Sequence, residues 1–289
     1  MIPPAFDYVA PRSVGEAISL LASLGEDAKL LAGGHSLLPM MKLRFAQPST
    51  LIDINRIPEL RGISEEDGLI RIGAMTTETE LINSKLLQDC LPLLPEAAKL
   101  IADPQVRNRG TIGGDIAHGD PGNDHPAIAM ALDATFVLQG PDGERLVKAV
   151  DFFHGTYMTE LAEHEILTAI LIKPIESGTG YCYQKLKRKT GDWATAGAAV
   201  VLRLRDGIVT HASIGLTNVA PTALRATAAE ALLLGQPLTT ATLDAVVQAV
   251  RAACDPAEDL RGDVEYKTAM AGEMTRRAIK AAAARCHSP

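Results

Sequence analysis

The sequence predicts an α+β fold made of three successive segments. Residues 13–54 have the pattern helix, strand, glycine turn, helical turn and strand. Residues 69–172 mix alternating strands with short capped helices, and residues 181–216 alternate like a long antiparallel sheet before an alanine-rich tail. Period-two alternation is typical of strands, whereas apolar residues spaced by three and four indicate helices. We therefore expect sheets and helices to be segregated along the chain.

The first segment opens with a capping box at 13–16, followed by apolar residues at helical spacing as far as Leu24. Gly25 is the predicted C-cap. The remaining predicted elements are a strand at 29–31, a helical turn at 36–44 and a strand at 51–54.

The second segment contains a capping box at 77–80 and a helix start at 124–126. A polar loop at 103–110 is expected to deliver the glycines that follow it. The other predicted elements are strands at 69–74 and 166–172, helices at 81–87, 95–102 and 127–132, and a hairpin over 136–147.

The third segment follows a glycine-rich linker at 176–180. Strands are predicted at 181–187, 198–204 and 209–216, and helices at 222–234, 239–253 and 263–285. We expect domains at 1–57, 58–176 and 177–289.

Composition limits the possible functions. The 289 residues are 47% hydrophobic and carry a net charge of −7, which argues against a nucleic-acid surface. No apolar run reaches the length of a membrane span, and no signal peptide is expected. The four cysteines are scattered, so we expect neither an iron–sulfur cluster nor a structural zinc site. Free thiols that are far apart also suit a reducing compartment, so we expect a cytoplasmic location.

Two glycine stretches stand at element ends. Glycine permits positive φ and close approach of a ligand, and successive bare N–H groups form anion sites. Each pair alone is more typical of a tight turn, but two pairs could hold the two halves of one diphosphate. Neither has the spacing of a dinucleotide fingerprint or a P-loop. The stretches are residues 31–36 and 111–115.

Three further features allow two interpretations each. Asp124 is the cap of the helix that follows it, which its spacing favours, or an acceptor for ligand hydroxyls, and one carboxylate has enough acceptor sites for both roles. The basic run 185–189 is either a solvated edge strand or, with Trp193, a cover for an aromatic ring. His118 and His125 beside two aspartates favour a polar loop at a helix start over a metal site.

Both glycine stretches resemble motifs of the FAD-binding medium subunits of the molybdenum hydroxylase (xanthine dehydrogenase) family. The same resemblance extends to residues 103–124, 185–197, 216–222 and 259–263. The likeness covers essentially the whole chain. It implies noncovalent FAD held in a two-part clamp, an N-terminal α/β piece and a middle α+β piece. A C-terminal antiparallel sheet with helices would cover the flavin.

The resemblance also implies roles for individual residues. The two glycine stretches would bind the pyrophosphate, Asp124 would bind hydroxyls, and Leu167 would make an apolar contact. Lys185 would lie near the isoalloxazine and Trp193 against the ring. No catalytic residue and no metal ligand is expected. The implied cofactor-binding residues are Ala32, Gly33, Gly34, His35, Ser36, Thr111, Gly114, Asp115, Asp124, Leu167, Lys185 and Trp193.

One residue departs from the family pattern. The second motif often ends in Asn, whereas here it ends in Asp115. A carboxylate beside a diphosphate would repel it. We therefore expect Asp115 to face a hydroxyl or a backbone donor.

The implied role is electron transfer within a dimer of heterotrimers. A large subunit with a molybdenum cofactor would oxidise the substrate, and a small subunit would carry two 2Fe–2S clusters. Electrons would pass through FAD to an external acceptor, a quinone or cytochrome, with the complex peripheral at the inner membrane face. The likeness favours carbon monoxide as substrate. A heterocycle, an aldehyde or an aromatic acyl-CoA remains an alternative, as does a free-standing flavin oxidoreductase or, on residues alone, a non-flavin binding module.

Overall fold

The computed structural model describes residues 2–286 and begins with a three-stranded parallel sheet of order β1-β3-β2. Helix α1 starts at Ser13, whose hydroxyl accepts the N–H of Glu16, and Gly25 ends it. Its buried stripe packs against this sheet. The elements are β1 (Asp7–Val9), α1 (Val14–Leu24), β2 (Ala28–Leu31), α2 (Leu37–Leu43) and β3 (Thr50–Asp53).

The middle of the chain forms a five-stranded antiparallel sheet and six short helices. Its elements are β4 (Ile63–Glu66), β5 (Leu69–Gly73), α3 (Glu78–Asn83), α4 (Lys85–Cys90), α5 (Leu93–Ala98), α6 (Pro104–Arg107), α7 (Ile112–His118), α8 (Asp124–Ala131), β6 (Thr135–Gly140), β7 (Gly143–Lys148), β8 (Phe153–Gly155), β9 (Met158–Thr159) and β10 (Ile166–Ile172). The strand order is β4-β5-β10-β6-β7, and β8 pairs separately with β9. Strand β10 is apolar and central, as expected for a strand covered on both faces.

The last segment is a four-stranded antiparallel sheet of order β11-β12-β13-β14 with three helices. The elements are β11 (Gly180–Leu186), β12 (Ala196–Arg205), β13 (Ile208–Thr217), β14 (Leu224–Arg225), α9 (Thr227–Leu233), α10 (Thr240–Ala253) and α11 (Val264–Ala283). The predicted divisions after 57 and 176 fall between the sheets, and as domain boundaries they remain predictions.

Helix α8 joins the middle and last segments. All its residues are buried, which is typical of a helix covered on every side. A Cβ on Gly215 of β13 would lie 1.9 Å from the carbonyl oxygen of Ala127, so only glycine allows this close approach. The start of α8, with Asp124 and His125, is therefore held firmly.

Several predicted elements differ from the observed ones. The expected helix 81–87 is divided at Ser84, which caps α4. The polar loop 103–110 contains α6, because the Asp103 carboxylate accepts the N–H of Val106 and Pro104 fits a first helical turn. The helix expected from 222 begins at Thr227, since Leu224–Arg225 pair with β13.

No helix among residues 2–286 is long and apolar enough to cross a membrane.

Candidate functional site: a cavity between three sheets

A cavity of about 680 Å³ is walled by residues from all three segments. Its size lies in the range of roughly 300–1,000 Å³ that is usual for small-molecule sites. All twelve residues predicted to bind a cofactor line it. The structure therefore brings together residues that are far apart in the sequence.

The first glycine stretch leaves β2 as a turn with free donors. Gly34 has a φ of +79°, which favours glycine. The Nδ2 of Asn55 donates to the carbonyl of Ala32 at 2.8 Å and fixes the turn. Among residues 2–286, no protein acceptor receives the backbone N–H groups of Gly33, Gly34, His35 and Ser36. These four donors are available to an anion.

The second glycine stretch is the first turn of a helix, not the tight turn that paired glycines indicated. The Thr111 hydroxyl caps α7 by accepting the N–H of Gly114 at 3.2 Å. Gly113 donates to the carbonyl of Ala74 at 2.9 Å, and a Cβ on Gly113 would lie 2.5 Å from the Ala74 side chain. Because these N–H groups are already used, free backbone donors come mainly from the first stretch.

The two stretches lie side by side. A Cβ on Gly114 would stand 3.8 Å from the Cβ of Ala32, and a Cβ on Gly33 would stand 2.2 Å from the carbonyl oxygen of Arg109. The space beside Gly33 is thus filled by the backbone that leads into the second stretch. Because Gly33 has no side chain, it allows the two stretches to touch, as well as allowing a ligand to approach the backbone.

Asp115 faces a backbone donor, as we expected. Its Oδ2 accepts the N–H of His125 at 3.1 Å, and its own carbonyl accepts the Nδ2 of Asn123 at 2.8 Å. Burial is the main cause that raises the pKa of Asp115 to about 7, and the charges of Glu78 and Asp124 add to it, whereas His125 opposes it.

A buried ion pair beneath the cavity is a feature that sequence reasoning missed. The Nε2 of His125 lies 2.8 and 3.0 Å from the two oxygens of Glu78, and both side chains are at least 97% buried. Burial lowers the pKa of His125, but the Glu78 carboxylate outweighs it and raises the pKa to about 9. The partners are 47 residues apart, so no local pattern indicates the pair.

Asp124 is not the cap of α8, which is the interpretation that we favoured from spacing. Asn123 occupies the cap position, and Asp124 is the first helical residue. Its carboxylate accepts hydrogen bonds from the Tyr183 hydroxyl and from Lys185 Nζ, the latter at 2.6 Å. The Asp124–Lys185 pair is almost fully buried at the cavity wall. Burial and the Asp124 charge raise the pKa of Tyr183, which keeps it a hydrogen-bond donor.

Trp193 stands at the cavity edge with half of its surface exposed. The Arg261 guanidinium lies 5.5 Å from the centre of its ring. Asp192 is buried and binds Arg261 Nη2 at 3.1 Å and Arg188 Nε at 3.0 Å. The basic run thus begins in edge strand β11, and Asp192 ties the loop that follows to residues 259–261.

Leu167 and His35 also line the cavity. Leu167 is buried in β10, where the register shifts before Ala169. Burial lowers the pKa of His35, and the Arg109 charge adds to this, so His35 is neutral near pH 7. The rings of His118 and Tyr157, to which no cofactor contact was assigned, lie 4.9 Å apart at an angle of 45° in the same wall.

Charged side chains in the cavity wall are mostly acidic. Five carboxylates and two lysines line it, and no arginine does. A bound diphosphate would therefore rely on backbone donors. Within residues 2–286, no group of three or more His, Cys, Asp or Glu side chains is arranged to hold a metal ion.

Two family models match the chain. The model for the FAD binding domain in molybdopterin dehydrogenase matches residues 4–174, and the model for the CO dehydrogenase flavoprotein C-terminal domain matches residues 181–282. The chain belongs to the FAD-binding flavoproteins of the molybdopterin dehydrogenases.

Relatives of this molybdopterin dehydrogenase flavoprotein cover it almost completely. It is 65% identical over 286 residues to the carbon monoxide dehydrogenase medium chain of Hydrogenophaga pseudoflava, with 99% of this chain and 100% of the relative covered. Identity is 52% over 285 residues to the medium chain of Afipia carboxidovorans, with 99% of both covered. Identity to the nicotine 6-hydroxylase medium subunit of Paenarthrobacter nicotinovorans is 37% over 282 residues, with 98% and 99% covered.

A solved structure agrees with the fold of the molybdopterin dehydrogenase flavoprotein. Carbon monoxide dehydrogenase from Hydrogenophaga pseudoflava, in a form that lacks the Mo-pyranopterin moiety of its cofactor, contains a chain that superimposes with a TM-score of 0.98 at 67% identity. The match covers 99% of this chain and 100% of that one. The predicted α+β fold and the resemblance are confirmed, and FAD is the cofactor of the family.

Proposed function

We propose that this chain is the FAD-binding medium subunit of a carbon monoxide dehydrogenase and that it passes electrons from partner 2Fe–2S clusters to an external acceptor. Carbon monoxide is favoured as the substrate because sequence identity is higher to the two carbon monoxide dehydrogenase medium chains than to the nicotine 6-hydroxylase subunit. Bound FAD would supply the redox chemistry, since the chain has no cysteine cluster of its own among residues 2–286.

The chain's own residues would bind and orient FAD. The free N–H groups of residues 33–36 would hold the diphosphate, with Thr111, Gly114 and Asp115 opposite and Ala32 at the contact between the two stretches. Asp124 would accept hydrogen bonds from FAD hydroxyls, because Lys185 and Tyr183 leave acceptor sites on its carboxylate. Leu167, Lys185 and Trp193 would form the wall around the isoalloxazine. No acid–base residue is required of this chain.

The partners follow from the same proposal. A large subunit would carry the molybdenum cofactor and oxidise carbon monoxide, and a small subunit would carry the iron–sulfur clusters. The assembly would be a cytoplasmic dimer of heterotrimers, peripheral at the inner membrane face, with a quinone or a cytochrome as acceptor. Domains at 1–57, 58–176 and 177–289 would form the two halves of the clamp and its cover.

Purified full-length chain, alone or with co-expressed large and small subunits, is expected to be yellow and to release FAD on acid treatment. We would record the visible spectrum, the FAD content and the size of the complex. Carbon monoxide oxidation by the complex, compared with oxidation of a heterocycle, an aldehyde and an aromatic acyl-CoA, separates the substrate classes. Absence of flavin absorbance after reconstitution would refute the cofactor role, and a stable, active monomer would refute the subunit role.

Trp193→Ala should change the flavin spectrum or reduction potential more than the FAD affinity. Trp193 is half exposed at the cavity edge, and an aromatic pair contributes about 0.5–1.5 kcal/mol, so the affinity loss should be about tenfold at most. Phe45→Ala is a matched control, because Phe45 is exposed and does not line the cavity. An unchanged spectrum and potential in the Trp193 variant would exclude ring contact.

A further inference from the structure

Asp115 presents one carboxyl oxygen to the cavity. Its Oδ2 is held by the N–H of His125, whereas Oδ1 has no hydrogen-bond partner among residues 2–286. The residue follows Gly114, which lies against Ala32 of the first glycine stretch. Asp115 thus lines the cavity together with the first glycine stretch, where we place the FAD diphosphate.

The surroundings disfavour a second negative charge at this position. Besides Asp115, four carboxylates and two lysines line the cavity, and of the neighbouring groups His125 opposes the rise in the pKa of Asp115. Like charges repel more strongly in a partly buried site than in water, and a diphosphate would add further negative charge. The titratable groups that act on Asp115 are Asp124 and His125 on α8, Glu78 on α3 and Tyr183 on β11, and Lys185 pairs with Asp124 nearby.

The second glycine stretch also lacks donors. The N–H groups of Ile112, Gly113, Gly114 and Asp115 all have protein acceptors, so this side of the cavity offers an anion little from its backbone. A protonated carboxyl group would supply an O–H donor where the backbone supplies none.

We propose that Asp115 carries a proton when FAD is bound and that its free oxygen donates a hydrogen bond to the diphosphate. The proposal rests on the proposed function of the cavity. Asp115 then acts as a binding residue that works only in its neutral form, with His125 N–H fixing its orientation.

A pH dependence of FAD affinity follows. Burial already raises the pKa of Asp115 in the free protein to about 7, and a bound diphosphate would raise it further. Binding would therefore take up a proton, so affinity is full below pH 7 and falls as pH rises above it. For one proton, the dissociation constant should rise about tenfold between pH 6 and pH 8.

Asp115→Asn is the decisive variant, because the amide keeps the oxygen that accepts the His125 N–H and adds a donor that does not titrate. We would titrate full-length apoprotein with FAD by flavin fluorescence from pH 6 to pH 8. At pH 8 the variant should bind FAD as tightly as the native chain does at pH 6. Its dissociation constant should change by no more than about twofold across this pH range. Asp120→Asn is the control and should keep the tenfold dependence, since Asp120 does not line the cavity.

A second measurement avoids reliance on the variant's affinity. The infrared spectrum of the FAD-loaded native chain at pH 7.5 should contain a protonated-carboxyl band that is absent from the loaded Asp115→Asn chain. A pH-independent affinity in the native chain, or the same slope in both chains, would overturn the proposal and indicate that Asp115 faces a hydroxyl. Failure of the native chain to bind FAD at any pH would instead count against the proposed function.

Discussion

Gly33→Ala is expected to lower FAD affinity by about 10- to 100-fold. The new Cβ would lie 2.2 Å from the carbonyl oxygen of Arg109 and 3.1 Å from the Cα of Gly110. Both are backbone atoms, so the two glycine stretches must move apart. Such overpacking typically costs about 1–3 kcal/mol and occasionally more, and each 1.4 kcal/mol is about tenfold in affinity. Fluorescence titration of the apoprotein with FAD measures the change.

Gly15→Ala provides the matched control. Gly15 lies in α1, and a Cβ there would meet no atom within 4 Å. Replacement of a helical glycine by alanine should stabilise the chain by up to about 1 kcal/mol and leave FAD affinity unchanged. Native FAD affinity in the Gly33 variant would refute the assigned contact between the stretches, provided that its melting curve shows a folded chain.

Glu78→Gln should lower the free energy of unfolding by about 3 kcal/mol. The substitution leaves the charge of His125 without its partner in a buried site, and breaking such pairs costs about 3–5 kcal/mol. The glutamine oxygen can still accept a hydrogen bond, which places the expected value at the lower end. Urea unfolding at pH 7 measures it. Asp89→Asn, which removes the exposed Lys85–Asp89 pair, should change the value by less than about 1 kcal/mol.

The same pair gives the stability of the native chain a pH dependence. The pKa of His125 is raised to about 9 in the folded state, above its ordinary value of 6.5. Its contribution is therefore complete below pH 6.5 and is lost as pH rises through 9. The native chain should lose stability between pH 7 and pH 9, and Glu78→Gln should lose less. Parallel pH profiles for the two chains would exclude His125 as the group responsible.

The sequence predicted most strands and long helices because their apolar periodicity is local. It misassigned residues 111–115, since paired glycines usually mark turns. Here the Thr111 cap and the contact of Gly113 with Ala74 stabilise a helix instead. That information lies in tertiary packing, which no window of the sequence contains.

Candidate site residues were predictable only through the family resemblance. Composition and spacing indicated a possible anion site, but they did not identify FAD. Asp124 illustrates the limit, because its position favoured a helix cap, whereas its partners Tyr183 and Lys185 come from a strand in another segment. The Glu78–His125 pair was not predicted either, because its two residues are far apart in the sequence.

Residues from all three segments form the cavity wall, and this has a consequence for how the chain matures. Each segment contributes only one part of the wall, through the turn after β2, helix α7 and the loop after β11. FAD bound there as proposed would contact all three segments, so its retention would report that each of them has folded.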